Sequence, residues 1–536
     1  MKKNRTWLLS FVVMAVVLGI AVTSVTIHVD PYMHYHKPLT DRYYYELNNE
    51  RSQNDGITKH FDYDGIITGT SMTENFRTSE ADRIFDAHFI KVPYSGGTFK
   101  EMNDNLVIGL QTHPKTKYII RSLDRYLFET DKDSMRTDMG LDFPTYLYDR
   151  NPLNDTKYVF NRDVLYTSDG NMIQNRKEGN PAGITSFDDY ANWMSSYTFG
   201  KDTVLHTVFT DDASYQKGFS KAEKQIELTE KEKQTIHDNV IQNVTYLADQ
   251  YPDTTFDYFL PPYSAAYWGN LLQEGRFDRQ IQLEKYAVSL ILPHKNIHLF
   301  LWNRFDLFDD LNNYKDSIHY GEWINTWMLE EMQKDEGRLT ESSYESVIDQ
   351  ESDHYRTFDY STLFRQKDYE ADYYASGLLN REITGTDPVK PDKDKLKTMT
   401  RNASVISDQY DGTAGVDCHG AMKRKAESTD TVADAMKSGD YSGIRFTFDA
   451  SDYRALTWYG KKVRNHGKVT VYVYDSDGNM IRSIEKNYTD LDDQWHQYAL
   501  NLDGIYGKVT VIMNGAYTDH TGSADSEYIF SNITLY

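Results

Sequence analysis

The chain has 536 residues, 39% of them apolar, and its 58 Lys and Arg against 81 Asp and Glu give a formal charge of −23. That length holds two or three domains with buried cores, while the acid excess excludes general nucleic-acid binding, which needs a basic face for the phosphates. The apolar average excludes a polytopic membrane protein, and a single cysteine, Cys418, excludes an intramolecular disulfide and any multi-cysteine zinc site.

The first element is a membrane signal. Lys2, Lys3 and Arg5 precede an uncharged, apolar run from Trp7 to Val29. About 20 apolar residues cross the hydrocarbon core as a helix, and this run is long enough. The leading cations predict a cytoplasmic start and an extracytoplasmic chain beyond Asp30. A cleaved signal peptide is the rival reading. Its apolar core is usually only about 7 to 15 residues and ends in an A-x-A-like site, which does not follow here. The run reads as an uncleaved, single-pass anchor in the cell membrane, covering residues 1–30.

Residues 31–335 alternate short apolar runs with helix-like stretches. The runs are Tyr63–Thr68, Phe89–Val92, Tyr118–Leu123, Phe256–Leu260 and Ile297–Trp302. Amphipathic helices fit between several of them, over Lys221–Tyr251 and Asp278–Leu292. Strands alternating with helices predict an α/β domain with a parallel sheet and flanking helices. The polar, Tyr-, Asn- and Asp-rich stretch at about 131–219 breaks this rhythm. It reads as an insertion, either a functional lid or wall or mere padding.

Residues 336–395 form a charged, tyrosine-rich helical region ending in a Pro-containing linker at 385–392. Residues 396–536 turn all-β. Ile444, Phe446 and Phe448 alternate with polar residues, as do Val469, Val471 and Val473, with Asp477-Gly478 as a hairpin turn. Val509, Val511 and Met513 form another strand, and Ile529, Ile533 and Leu535 share a face of the last. Short strands closed by turns predict a β-sandwich or jelly roll.

Three separated motifs carry chemistry. Gly69-Thr70-Ser71-Met72-Thr73 follows the first strand, so Ser71 is expected at a helix N-terminus, where free N–H groups favour developing negative charge. Taken alone, it is equally a loop with an N-cap serine. Asp316-Ser317-Ile318-His319 can place the carboxylate and the imidazole on one side of a turn, fixing the tautomer that accepts a proton from a serine. Taken alone, Asp316 is a helix cap ahead of a helix over Tyr320–Met332. Tyr94-Ser95-Gly96-Gly97 follows the second strand, and its glycines would let backbone N–H groups approach an oxyanion; an ordinary strand–helix turn looks the same. Loops at the carboxyl ends of parallel strands converge on one edge, where ligands bind.

The order Ser71, Asp316, His319, with serine early and Asp-x-x-His at the domain end, resembles the SGNH/GDSL hydrolase superfamily. The anchor, Asp30-Pro31 beyond it, Gly-Thr-Ser-Met and Asp-x-x-His-Tyr-Gly are similar to its membrane-anchored members that modify cell-surface polymers, including the teichoic acid D-alanylation protein and alginate and peptidoglycan O-acetyltransferases. The resemblance covers roughly residues 1–335. It implies Ser71 as nucleophile, His319 as general base and Asp316 as its orienting acid. It implies an oxyanion hole from Ser71 with Gly96 or Gly97. Where the superfamily usually has Asn, this chain has Asp124-Arg125, and an ionised Asp cannot donate to an oxyanion. Either Asp124 is structural, or the hole relies on backbone N–H groups and Arg125.

The resemblance implies an extracytoplasmic serine O-acyltransferase acetylating a secreted or cell-wall polysaccharide, without cofactor. The donor would be a membrane-bound O-acyltransferase partner, since acetyl-CoA is absent outside the cell. A polysaccharide acetyl esterase, D-alanyl transfer to teichoic acid and a non-catalytic glycan-binding scaffold are the alternatives. Asp124, Arg125 and Tyr263, with Glu74 and Asn75, are candidate substrate-site residues. Trp458, Tyr459 and Trp495 are glycan-stacking or core aromatics in a β domain of carbohydrate-binding-module type. His34 and His36 read as interfacial groups rather than metal ligands, and no metal site is expected.

Overall fold

The computed structural model describes residues 2–137, 143–149 and 151–366, and segments between 405 and 535. The chain divides into two compact units, one of Met1–Tyr197, Val204–Asp310 and Asp316–Arg365, the other of Thr198–Thr203, Leu311–Lys315 and Gln366–Tyr536.

The first unit is built on a five-stranded parallel sheet. Its strands are β1 (Gly65–Gly69), β2 (Phe89–Pro93), β3 (Tyr118–Ser122), β4 (Thr255–Phe259) and β5 (Ile297–Phe300). They lie in the order β2-β1-β3-β4-β5, every neighbouring pair parallel. All five expected apolar runs are these strands. β1 and β2 are buried along their whole length, as strands covered on both faces must be. The winding direction reverses between β1 and β3. The crevice at their carboxyl ends is where a sheet of this order binds ligands.

The helix expected over Lys221–Tyr251 begins only at Glu230. A capping box stops it: Thr229 accepts from the Glu232 N–H while the Glu232 carboxylate accepts from the Thr229 N–H. A wide, π-type stretch, Ile241–Thr245, then interrupts it. The helices Phe277–Ile291 and Glu322–Gln333 stand where the periodicity places them.

The insertion has packing of its own. Leu147, Tyr158 and Val164 form a small buried core against Tyr32, Tyr35, Tyr146 and Tyr148. It packs beside the N-terminal helix α1 (Lys2–Val29), whose Arg5–Val29 portion is long and apolar enough to cross a membrane. Beyond it, Asp30 takes a positive φ of 45°. Its carboxylate accepts the N–H groups of His34, Tyr35 and His36 and the hydroxyl of Tyr158.

The second unit contains two antiparallel sheets. One has the order Gly443–Asp449, Lys508–Asn514, Lys468–Tyr474, Met480–Asn487. The other has His496–Asn501, Ala455–Arg464, Ser526–Leu535, Ala414–Gly420, Val405–Ser407. Val471, Val473, Val509, Val511 and Met513 are buried as their alternation requires. The linker at 385–392 and the Asp477-Gly478 turn lie outside the described residues.

Candidate active site

β1 ends in Gly69, whose φ of 153° and close neighbours, Ser122 Oγ and Thr73 Cγ2, leave no room for a side chain. The chain then turns sharply. Thr70 caps a single 3₁₀ turn, Ser71–Thr73, by accepting from the Met72 N–H. This corrects the expected α-helix at Ser71: the first α-helix after β1 begins at Thr78. Ser71 is therefore presented by a tight turn rather than by the end of an α-helix.

His319 reaches this turn from 248 residues away, with Nε2 2.7 Å from Ser71 Oγ. Its Nδ1 lies 2.7 Å from Asp316 Oδ2. The other Asp316 oxygen accepts the N–H groups of Ile318 and His319, at 2.9 and 2.8 Å. Asp316 is thus a local turn-former and not a cap, since Gly321 caps the following helix. A carboxylate only accepts, so the Nδ1 proton faces Asp316 and the Nε2 lone pair faces Ser71.

Several contacts hold the helix that follows His319 against the Ser71 turn. Arg77 makes a bidentate pair with Glu322, its Nε and Nη2 3.1 and 2.9 Å from Oε2. Asn325 Nδ2 donates to Met72 O, and Thr326 donates to Glu80 at 2.6 Å. Buried Lys91 donates to the backbone oxygens of Glu74 and Phe76, and burial pushes its ammonium pKa down to about 8. The insertion adds a wall. The Trp193 ring meets His319 edge-on at 5.7 Å, and the Trp193 backbone N–H donates to Asn75 Oδ1.

The N–H groups around the expected oxyanion donors are partly spent within the fold. The Gly97 N–H donates to Tyr94 O within its turn, and the Ser95 N–H donates to Glu50. Gly96, in a left-handed conformation at φ 56°, is exposed. The N–H groups of Ser71 and Gly96 take no protein acceptor among the described residues. Asn75 Nδ2 is also buried without an acceptor among the described residues.

Asp124, Arg125 and Tyr263 do not line an open site. All three are at most 1% exposed. Asp124 Oδ2 accepts from Thr70 Oγ1 at 2.9 Å and Ser122 Oγ at 2.8 Å, and Oδ1 accepts from the Tyr263 hydroxyl at 3.1 Å. Burial raises its pKa, and these hydroxyls oppose the shift. Asp124 therefore braces the turn carrying Ser71 from beneath. Arg125 donates to Glu284 and Glu351 and stacks 4.9 Å over Trp268.

Asp124→Asn swaps an acceptor for a donor among three hydroxyl donors. It is expected to cost about 2 kcal/mol and, by loosening the turn, up to about 10²-fold in kcat. Thermal melts and the rate of fluorophosphonate labelling check this; an unchanged labelling rate contradicts the bracing role.

Trp458 is 2% exposed, so it is core rather than a glycan-stacking surface. The Tyr459 side chain and Trp495 lie outside the described residues. His36 is spent on the backbone oxygens of Ile27 and Lys37, and His34 lies between Asp55 and Asp155. No group of three or more metal-type ligands gathers among the described residues.

No known family and no curated protein matches the sequence. Among solved structures, a two-domain esterase active on acetylated mannans aligns with 88% of this chain and 91% of its own, at 11% identity and a TM-score of 0.19. A carbohydrate-binding module, CBM4, aligns with 25% of this chain and 76% of its own, at 15% identity and a TM-score of 0.16. A CBM6 module from Clostridium stercorarium in complex with cellobiose aligns with 25% and 83%, at 10% identity and a TM-score of 0.15.

Proposed function

We propose that the chain is an extracytoplasmic serine acyltransferase that forms an ester on Ser71 and passes the acyl group to a hydroxyl of a secreted or cell-wall polysaccharide. The observation that carries the chemistry is the continuous relay from Ser71 Oγ through His319 to Asp316, with 2.7 Å at each step. A serine hydroxyl is a poor nucleophile without such a base.

In the first half-reaction, His319 Nε2 takes the Ser71 proton as Oγ attacks the donor's acyl carbonyl. The tetrahedral oxyanion is met by the N–H groups of Ser71 and Gly96, and the Asn75 amide, closed off from solvent in the resting fold, turns to join them. Collapse breaks the bond to the donor's leaving group, which takes the proton from His319. In the second half-reaction, a sugar hydroxyl gives its proton to His319 and attacks the Ser71 ester. The acyl–sugar bond forms, and Ser71 Oγ leaves with the proton. Trp193 covers one edge of the imidazole, limiting access of water to the base.

Transfer rather than hydrolysis is favoured by the anchor. The last turns of α1 are built into the fold: Thr26 donates to Asp169 and the Tyr45 hydroxyl to Val29 O. A segment so integrated is suited to retention, and it tethers Ser71 to the membrane from which an acyl group must emerge. A membrane-bound O-acyltransferase fits as donor. Incubating the full chain with an activated acetyl ester and an acetyl-free oligosaccharide tests this. Acetylated oligosaccharide in excess of free acetate supports transfer, and acetate alone identifies an esterase.

Asn75→Ala is expected to lower kcat by about 10² to 10³-fold, the usual cost of one oxyanion donor, with little change in KM. Steady-state kinetics check it, and an unaltered kcat removes Asn75 from the hole.

A further inference from the structure

The insertion holds an exposed surface that neither the fold nor the relay uses. Leu153, Phe160 and Tyr166 are 82%, 52% and 75% exposed. Leu153 and Phe160 flank the first of the two elements that pack on α1, Thr156–Val159, and Tyr166 lies within the second, Asp163–Asp169. The attachment reaches well along the helix. Val22 and Thr23 are half-buried, and Thr26, Val29 and Asp30 are buried, a stripe at helical spacing about 10 Å deep. Thr26 Oγ1 donates to Asp169, and the Tyr158 hydroxyl both donates to Asp30 and receives the Tyr32 N–H.

The charge of this surface is opposite to that of the whole chain. Lys157, Arg162, Arg176 and Lys177 are exposed, whereas of Asp155, Asp163 and Asp169 only Asp163 is exposed. Arg176 sits 5.4 Å over the Tyr43 ring, which meets His28 edge-on at 6.1 Å, at the mouth of the apolar span.

We infer that residues 153–177 are a membrane-seating platform, with Leu153, Phe160 and Tyr166 entering the outer lipid interface and the four cations meeting anionic headgroups. The inference rests on α1 as a retained membrane span. The Arg5–Val29 helix exceeds the roughly 30 Å hydrocarbon core by about one and a half turns. The insertion covers those outer turns and about half a turn more, so it stands at headgroup depth with its inner edge at the hydrocarbon boundary. Exposed aromatic and aliphatic side chains with Lys and Arg at that level are the anchors an interface accepts. Seated this way, the first unit does not swing freely on its span.

Single-cysteine variants of the full chain in a Cys418→Ser background test it. Leu153→Cys, Phe160→Cys and Tyr166→Cys each carry an environment-sensitive fluorophore, in vesicles of phosphatidylcholine and phosphatidylglycerol. Val16→Cys in α1 and Ile226→Cys, 47% exposed on another part of the unit, are the controls. The expected result is a blue shift and loss of emission with shallow spin-labelled lipid at the three platform sites. It is stronger with phosphatidylglycerol than without, and the Ile226 label is unaffected. Platform labels quenched only by aqueous iodide, with Val16 still quenched by lipid, overturn the platform alone. Loss of lipid quenching at Val16 as well overturns the span beneath it. Platform labels open to water in vesicles but shielded in native membranes overturn lipid seating in favour of a membrane-protein partner.

Discussion

Ser71→Ala is expected to abolish transfer, lowering kcat by about 10⁴ to 10⁶-fold as in other serine triads, while leaving the melting temperature within about 2 °C. The reason is positional. Ser71 Oγ is the one atom among the described residues to which His319 Nε2 is hydrogen-bonded, and Ser71 is half-exposed, so its hydroxyl contributes little packing. A fluorophosphonate probe that labels the unsubstituted protein should leave the S71A protein unlabelled. His319→Ala should cost nearly as much and not add to Ser71→Ala, because the two act as one unit. Additive losses would mean that the imidazole acts on something other than Ser71.

Arg125→Met is expected to produce the largest loss of stability. Arg125 is fully buried, and its guanidinium is shared between Glu284 and Glu351, with Glu351 held in a two-pronged contact at 2.9 Å on each side. Removing the cation strands two carboxylates without a countercharge, at a cost of about 3–5 kcal/mol. That corresponds to a fall of roughly 10 °C in melting temperature. The same cluster predicts a pH dependence. Burial pushes the Glu351 carboxyl up to about 7, with Glu284 nearby adding to the shift and Arg125 opposing it. A raised carboxyl pKa means that the folded state binds the proton more strongly than the unfolded chain. The contribution of Glu351 to stability is therefore fully present below its ordinary value near 4.5 and declines as pH rises through about 7. Glu351→Gln should flatten this decline and leave Arg125 paired with Glu284. Melts across that interval check both variants, and a steeper decline in E351Q contradicts the assignment.

The relay was legible where it is local. Asp316 and His319 are three residues apart and close their own turn, so spacing alone describes their geometry. The five strands were legible because a sheet buried on both faces makes short apolar runs. The supports of the site were not legible. Arg77 and Glu322 are 245 residues apart, and no local pattern pairs them. Trp193 arrives from a polar insertion that has no periodicity to read. The choice between a structural and a substrate-site Asp124 was not legible for a physical reason: its neighbours in sequence do not reveal that Thr70 and Tyr263, from two other loops, turn their hydroxyls to it. Asn75 was noticed only as a neighbour of Ser71; the signal that singles it out, a buried amide without an acceptor, exists only in three dimensions. Trp458 alternates correctly for a strand, and alternation does not say which face is covered.

The central claim is that Ser71 carries the acyl group. Its most direct test is mass spectrometry of the Ser71 peptide from protein isolated from native membranes, before and after adding an oligosaccharide acceptor. The account predicts an acyl ester on Ser71 that disappears on addition, with the same acyl mass gained by the oligosaccharide. An unmodified Ser71 in a protein that still acylates the oligosaccharide would contradict it.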